Sequence, residues 1–149
     1  MKEIKTISST TDYSAISVGK ISELNEFVLK LAPGVEIPGK VFIGQSLSLT
    51  GAEISFQSFA AGTETGFYHT HKNHEEVYVF LAGEGEFQLD GNIVPLVEGS
   101  VVKVAPSVKR TIRNTGSENL VMFCIQYKAD SFSAEDAADG VILQEKVEW

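Results

Sequence analysis

Between Ala52 and Tyr127 apolar and polar residues alternate in short runs, and each run is stopped by Gly, Pro, Asn or Ser. A period of two sends successive side chains to opposite faces, so such runs form half-buried strands and cannot form helices. AEISFQSF (Ala52 to Phe59) puts Ile54 and Phe56 on one face, with Glu53, Ser55 and Gln57 on the other. EFQLDGNIVPLV (Glu86 to Val97) holds Asp90-Gly91 between two alternating runs, a strong hairpin signal. SVVKVAP (Ser100 to Pro106), KRTIRN (Lys109 to Asn114) and NLVMFCIQYK (Asn119 to Lys128) follow, with turn residues between them. Strands at this spacing predict an all-β sandwich or barrel.

The ends read differently. Residues 1–50 are expected to form an N-terminal strand extension packing on the barrel, from KEIKTIS, FVLKL and KVFIGQSLSL, with APGVEIPGK (Ala32 to Lys40) as a loop. That loop is not a domain boundary, because the part before it is too small to bury its own core; residues 1–149 are expected to be one domain. In the tail, residues 128–149, Ser133 with Asp136 three residues on predicts one short helix. The last nine residues, ending at Trp149, read as a weak strand or an ordered arm.

Twelve basic and twenty acidic residues give a net charge of −8, which disfavours binding to a phosphate backbone. The densest basic run, KRTIR (Lys109 to Arg113), is short. No apolar run approaches the roughly 20 residues that span a bilayer, and the first residues lack a signal-peptide pattern. A single cysteine, Cys124, lies in an apolar run and calls for no oxidising compartment. A cytoplasmic protein without nucleic-acid or membrane partners is expected.

Every histidine of the chain falls in GFYHTHKNHEEVYVFLAG, Gly66 to Gly83. On a strand His69 and His71 would share a face with Phe67, and Glu76 shares the next face with Tyr78 and Phe80. If the two strands are neighbours, His69, His71 and Glu76 form a facial triad for a divalent ion, with positions left open for water and substrate. Exposed turn histidines are the plainer alternative for an HxH alone. His74 is expected at the turn and solvated, and Glu75 points away from Glu76.

At these residues the chain resembles the cupin superfamily. His69-Thr70-His71, four residues, Glu76, six residues and Gly83 match its first motif, although six residues rather than five separate the leading Gly62 from His69. After fifteen residues Gly99 opens a degenerate second motif: Asn114 fits, but Ala105, Ser107 and Arg110 stand at the Pro, Gly and His positions. The resemblance covers roughly Ala52 to Tyr127. It implies a double-stranded β-helix, a jelly-roll-like barrel with its site in the mouth, and a homodimer in which the N-terminal strands take part.

In metal-binding cupins the position of Arg110 is a third histidine. Arginine offers only N–H donors and cannot coordinate. Two proteins fit this departure. In one, His69, His71 and Glu76 hold Fe, Mn, Ni, Co or Zn, and Arg110 binds an anionic group of a small molecule; oxygenase or isomerase chemistry would suit it. In the other, Arg110 pairs with Glu76, and the pocket is a metal-free anion-binding module without catalysis. Arg110 as a solvated strand residue is a third alternative. Tyr78, Gln57 and Gln126 are further substrate-binding candidates, chosen by strand position. A metal-free sugar epimerase or isomerase would use His69 or His71 with Tyr78 or Tyr127 as an acid–base pair.

Overall fold

The computed structural model describes residues 2–149. Twelve strands run in order: β1 Lys5–Ser9, β2 Ser14–Ser17, β3 Val28–Ala32, β4 Val35–Pro38, β5 Lys40–Phe42, β6 Ala52–Phe59, β7 His74–Ala82, β8 Gly85–Leu89, β9 Asn92–Leu96, β10 Val101–Val104, β11 Arg110–Asn114 and β12 Leu120–Lys128. One α-helical turn, α1, spans Gly44–Leu47, and 3-10 turns cover Ile21–Glu26 and Asp136–Ala138.

Two sheets form the barrel, one ordered β10-β7-β12-β6-β5 and the other β11-β8-β9. The alternation read from the sequence sets which side chains enter. Glu76, Tyr78 and Phe80 are buried along β7, with Val77, Val79 and Leu81 only partly so. Phe59, Tyr78, Phe80, Leu120 and Met122 from the large sheet pack against Phe87, Leu96 and Ile112 from the small one, so the core lies between the sheets. Asp90 and Gly91 turn the β8–β9 hairpin with φ of 48° and 88°, as a two-residue hairpin turn of the Asp-Gly type requires.

The N-terminal segment covers the outer face of the large sheet. Leu24, Phe27, Val41 and Val121 make a second apolar cluster there, joined by Ile4, Val18 and Phe56. Gly39 is the point where the chain crosses into the sheet. Its N–H bonds the Phe27 carbonyl at 2.8 Å, and its carbonyl accepts the Ser58 N–H at 2.9 Å. Its φ is +76°, and a Cβ there would stand 2.1 Å from the Ser58 carbonyl oxygen, so only glycine fits.

Several sequence expectations change at the ends. APGVEIPGK is not a loop: Val35–Pro38 pairs with Val28–Ala32 as a hairpin turned at Pro33-Gly34. KVFIGQSLSL is not one strand: it stops at Phe42, and Gly44–Leu47 coils into a helical turn. At the start of that turn Glu53 Oε1 accepts the Gly44 N–H at 2.7 Å and occupies the space that a side chain at Gly44 would need. In the tail, Ser133 and Asp136 do cap each other, with Asp136 N–H donating to Ser133 Oγ at 3.3 Å and Ser133 N–H to Asp136 Oδ2 at 2.6 Å, but the helix is a single 3-10 turn. Residues 141–149 form no strand and are exposed throughout.

Candidate metal and small-molecule site

Glu76 is placed by β7, whose inner row it shares with Tyr78 and Phe80. His69 and His71 do not lie on a named strand, contrary to the strand expected there. They sit in an extended connection from β6 to β7, tied to the small sheet through its backbone. His69 and Arg110 exchange backbone hydrogen bonds of 3.3 and 3.1 Å, and the His71 N–H bonds the Pro106 carbonyl at 2.8 Å. This docking carries both imidazoles to Glu76. His71 Nε2 is 3.3 Å from Glu76 Oε1, and His69 Nε2 is 3.7 Å from Glu76 Oε2.

His74 is not a turn residue. It opens β7 opposite Lys128, because β7 is extended by pairing with the long β12. Its ring centre is 6.3 Å from that of His71, and it stands outside the cluster. Glu75 faces away, as expected, and pairs with Lys103 at 3.1 Å.

Arg110 is not solvated. Its side chain is 0% exposed, with Nε 3.4 Å from Glu76 Oε2. Nη2 donates to the Ala105 carbonyl at 2.7 Å, while Nε and Nη1 find no hydrogen-bond acceptor in good geometry. Glu76 also accepts from Tyr78 Oη at 2.5 Å and from the Cys124 thiol at 3.5 Å. Burial alone would raise the Glu76 carboxyl pKa. His69, Tyr78, His71 and Arg110 outweigh it and hold the group down to about 2. Burial, with Glu76 beside them, pushes the Tyr78 hydroxyl and the Cys124 thiol up, so both keep their protons. Burial lowers the pKa of His71 against the pull of Glu76, which favours the neutral, ligating imidazole.

The donor set fits a divalent ion. The ligand atoms of His69, His71 and Glu76 lie within 4.8 Å of one another. Metal–ligand bonds of about 2.1 Å set neighbouring donors about 3 Å apart, close to the distances present. His71 Nε2 is buried and makes no hydrogen bond in good geometry, although Glu76 Oε1 lies 3.3 Å away. Glu76 has lone pairs beyond those used by Tyr78 and Cys124. The Arg110 guanidinium, which cannot coordinate, stands against the same carboxylate.

A cavity of about 270 Å³ opens on this cluster. Tyr78, Gln57 and Gln126 line it, together with Lys40 and Cys124, which strand position in the sequence had not singled out. Leu29, Leu31, Ile37, Phe42 and Phe67 give it an apolar rim. Strand parity could have found Cys124, two residues from Gln126; Lys40 is placed by lying opposite Gln57 in the β5–β6 pairing, which the sequence does not announce. Asn114 serves the fold: its Nδ2 bonds the Phe59 and Glu118 carbonyls, each at 2.8 Å, and its Oδ1 accepts the Gly116 N–H at 2.9 Å.

Two facing sheets with an inward His-His-Glu cluster at one mouth define a small β-barrel of the double-stranded β-helix class. The family model of the cupin domain (Cupin_2) matches residues 55–126. A cupin protein from Bacteroides fragilis is 35% identical, with a TM-score of 0.67 over 78% of this chain and 97% of that one. The chain belongs to the cupin superfamily. It is also 32% identical over 114 residues to a glucose-6-phosphate isomerase from Pyrococcus abyssi, spanning 73% of this chain but about half, 51%, of that relative. A predicted oxalate decarboxylase from Thermotoga maritima shares the fold at 22% identity, with a TM-score of 0.57 over 68% of this chain and 90% of that one. Among the described residues no helix is long and apolar enough to cross a membrane.

Proposed function

We propose that this cupin binds a divalent transition-metal ion through His69 Nε2, His71 Nε2 and Glu76, and holds a small molecule beside it in the barrel mouth. The observation that carries this reading is the buried His71 Nε2, which stands 3.3 Å from the Glu76 carboxylate without a well-formed hydrogen bond. An ion held there would act as a Lewis acid on a carbonyl or hydroxyl oxygen. The chain's own residues supply the rest. Tyr78 and Cys124 fix the Glu76 carboxylate by donating to it, the apolar rim excludes water, and Gln57 and Gln126 offer amide hydrogen bonds to a ligand. The activity named for the Pyrococcus abyssi relative favours isomerisation over oxygenation as the reaction class.

A specific contact favours a second reading. Arg110 Nε stands 3.4 Å from Glu76 Oε2, where it can replace the charge of a metal ion. The barrel would then be a metal-free binding module. Elemental analysis after reconstitution with Fe(II), Mn, Co, Ni and Zn separates the two. About one ion per chain is expected in the wild type, with loss in His71→Ala. No bound ion under any of these conditions leaves the metal-free module.

A further inference from the structure

Lys40 enters the cavity from β5, a strand of the N-terminal segment. It lies opposite Gln57 in the β5–β6 pairing, so both side chains point into the barrel. Its Nζ donates to Gln57 Oε1 at 3.3 Å and lies 5.1 Å from the centre of the Phe42 ring. Among the described residues it forms no ion pair.

Two other charged side chains of the cavity wall have contacts within the protein, although Arg110 Nε and Nη1 lack a hydrogen-bond acceptor. Arg110 stands against Glu76. Glu53 Oε1 accepts the backbone N–H groups of Gly44 at 2.7 Å and Ile54 at 2.9 Å. Protonated, Lys40 has three donors and one neutral acceptor; burial pushes its pKa down, against the pull of Cys124 and Glu76. Leu29, Ile37, Phe42, Phe59 and Met122 give the cavity wall its apolar part, beside polar Ser55, Gln57 and Gln126. Among the described residues no carboxylate lies within ion-pair distance of the Lys40 Nζ, so its spare N–H donors face the cavity, where an anion can meet them.

We propose that Lys40 and Gln57 form the anion subsite of the cavity, and that its ligand class is a small monocarboxylate with an apolar body. The assignment rests on the small-molecule reading above and deepens it. The carboxylate accepts from the Lys40 ammonium and from the Gln57 amide NH2, and the apolar part lies along the rim. One ammonium matches one negative charge. A phosphate dianion would call for a second cation at this subsite, and Arg110, the other cation of the cavity, stands against Glu76.

The test uses the full chain and three probes: hexanoate, its neutral amide hexanamide, and inorganic phosphate, each titrated by calorimetry. Hexanoate is expected to bind about tenfold or more tightly than hexanamide, since hydrogen bonds to charged groups contribute that much. Lys40→Met is expected to remove this preference by weakening hexanoate alone, and Lys40→Arg to keep most of it. Thermal unfolding checks that both variants are folded. The proposal is overturned if wild-type protein ignores hexanoate, binds it no better than hexanamide, or prefers phosphate, or if folded Lys40→Met binds hexanoate as wild type does. Metal content is measured alongside. Lys40-dependent hexanoate binding without any metal would end the metal reading and leave this subsite standing; bound metal with no effect of Lys40 would do the reverse.

Discussion

The Arg110 guanidinium and the Glu76 carboxylate form a buried ion pair, Nε to Oε2 3.4 Å, with the arginine side chain 0% and the glutamate side chain 8% exposed. Removing one partner of such a pair leaves the other charge in a low-dielectric interior. Arg110→Met is therefore expected to lower the stability of the metal-free protein by about 3 kcal/mol, while Arg110→Met with Glu76→Gln, which leaves no lone charge, recovers part of that loss. Urea denaturation of the single and double variants measures both. A double variant less stable than Arg110→Met alone would mean that the pair is not the source of the effect.

If the cluster binds a metal as proposed, position 110 would set the number of protein ligands. Its backbone is bonded to His69 and its side chain reaches Glu76, so an imidazole there faces the same point. Arg110→His is expected to raise metal affinity by at least about tenfold, because it exchanges a repelling cation for a fourth donor. Competition against a chelator reads the change. Unchanged affinity would show that a side chain at 110 does not reach the ion.

Glu76 gives the metal-free protein a defined acid sensitivity. Its folded pKa, about 2, lies below the ordinary 4.5. The ionised form is thus favoured by folding, and this stabilisation is complete above about pH 4.5 and is lost as pH falls towards 2. The difference corresponds to about 3 kcal/mol. Urea midpoints between neutral pH and pH 3 should fall in wild type, and Glu76→Gln should remove most of the slope.

The barrel was legible because its strands obey a simple period. In β7 the alternation alone placed Glu76, Tyr78 and Phe80 on the inner face, and Asp90-Gly91 marked its hairpin correctly. What was not legible depended on contacts distant in sequence. Nothing local to His74 says that β12 will extend β7 to include it. Nothing in GQSL announces that Glu53 will hold the Gly44 N–H at the start of a helical turn. Strand parity put Arg110 on one face with Ile112 and Asn114, and all three are buried; only the basic neighbours in KRTIR had suggested solvent. Lys40 was overlooked because its placement, like that of His74, depends on a distant pairing. Val41 packs outward against the second cluster, which turns Lys40 and Phe42 inward, and that register exists only once β5 has docked on β6.

Gly39 sets this docking, and its replacement tests how the N-terminal segment reaches the site. The φ of +76° disfavours any L side chain, and a Cβ would collide with the Ser58 carbonyl oxygen at 2.1 Å. That atom is main chain in the barrel sheet and cannot swing away, so β5 must shift. Gly39→Ala is expected to lower stability by about 2 kcal/mol, from the left-handed strain together with the collision. It should also disturb the pairing of Lys40 with Gln57, one residue beyond the substituted position. Urea denaturation reads the first effect. Limited proteolysis reads the second: cleavage between β3 and β5 should appear in the variant under conditions where the wild type resists. If Gly39→Ala matches wild type in both, the chain does not cross into the sheet at Gly39 in the way that brings Lys40 to the cavity.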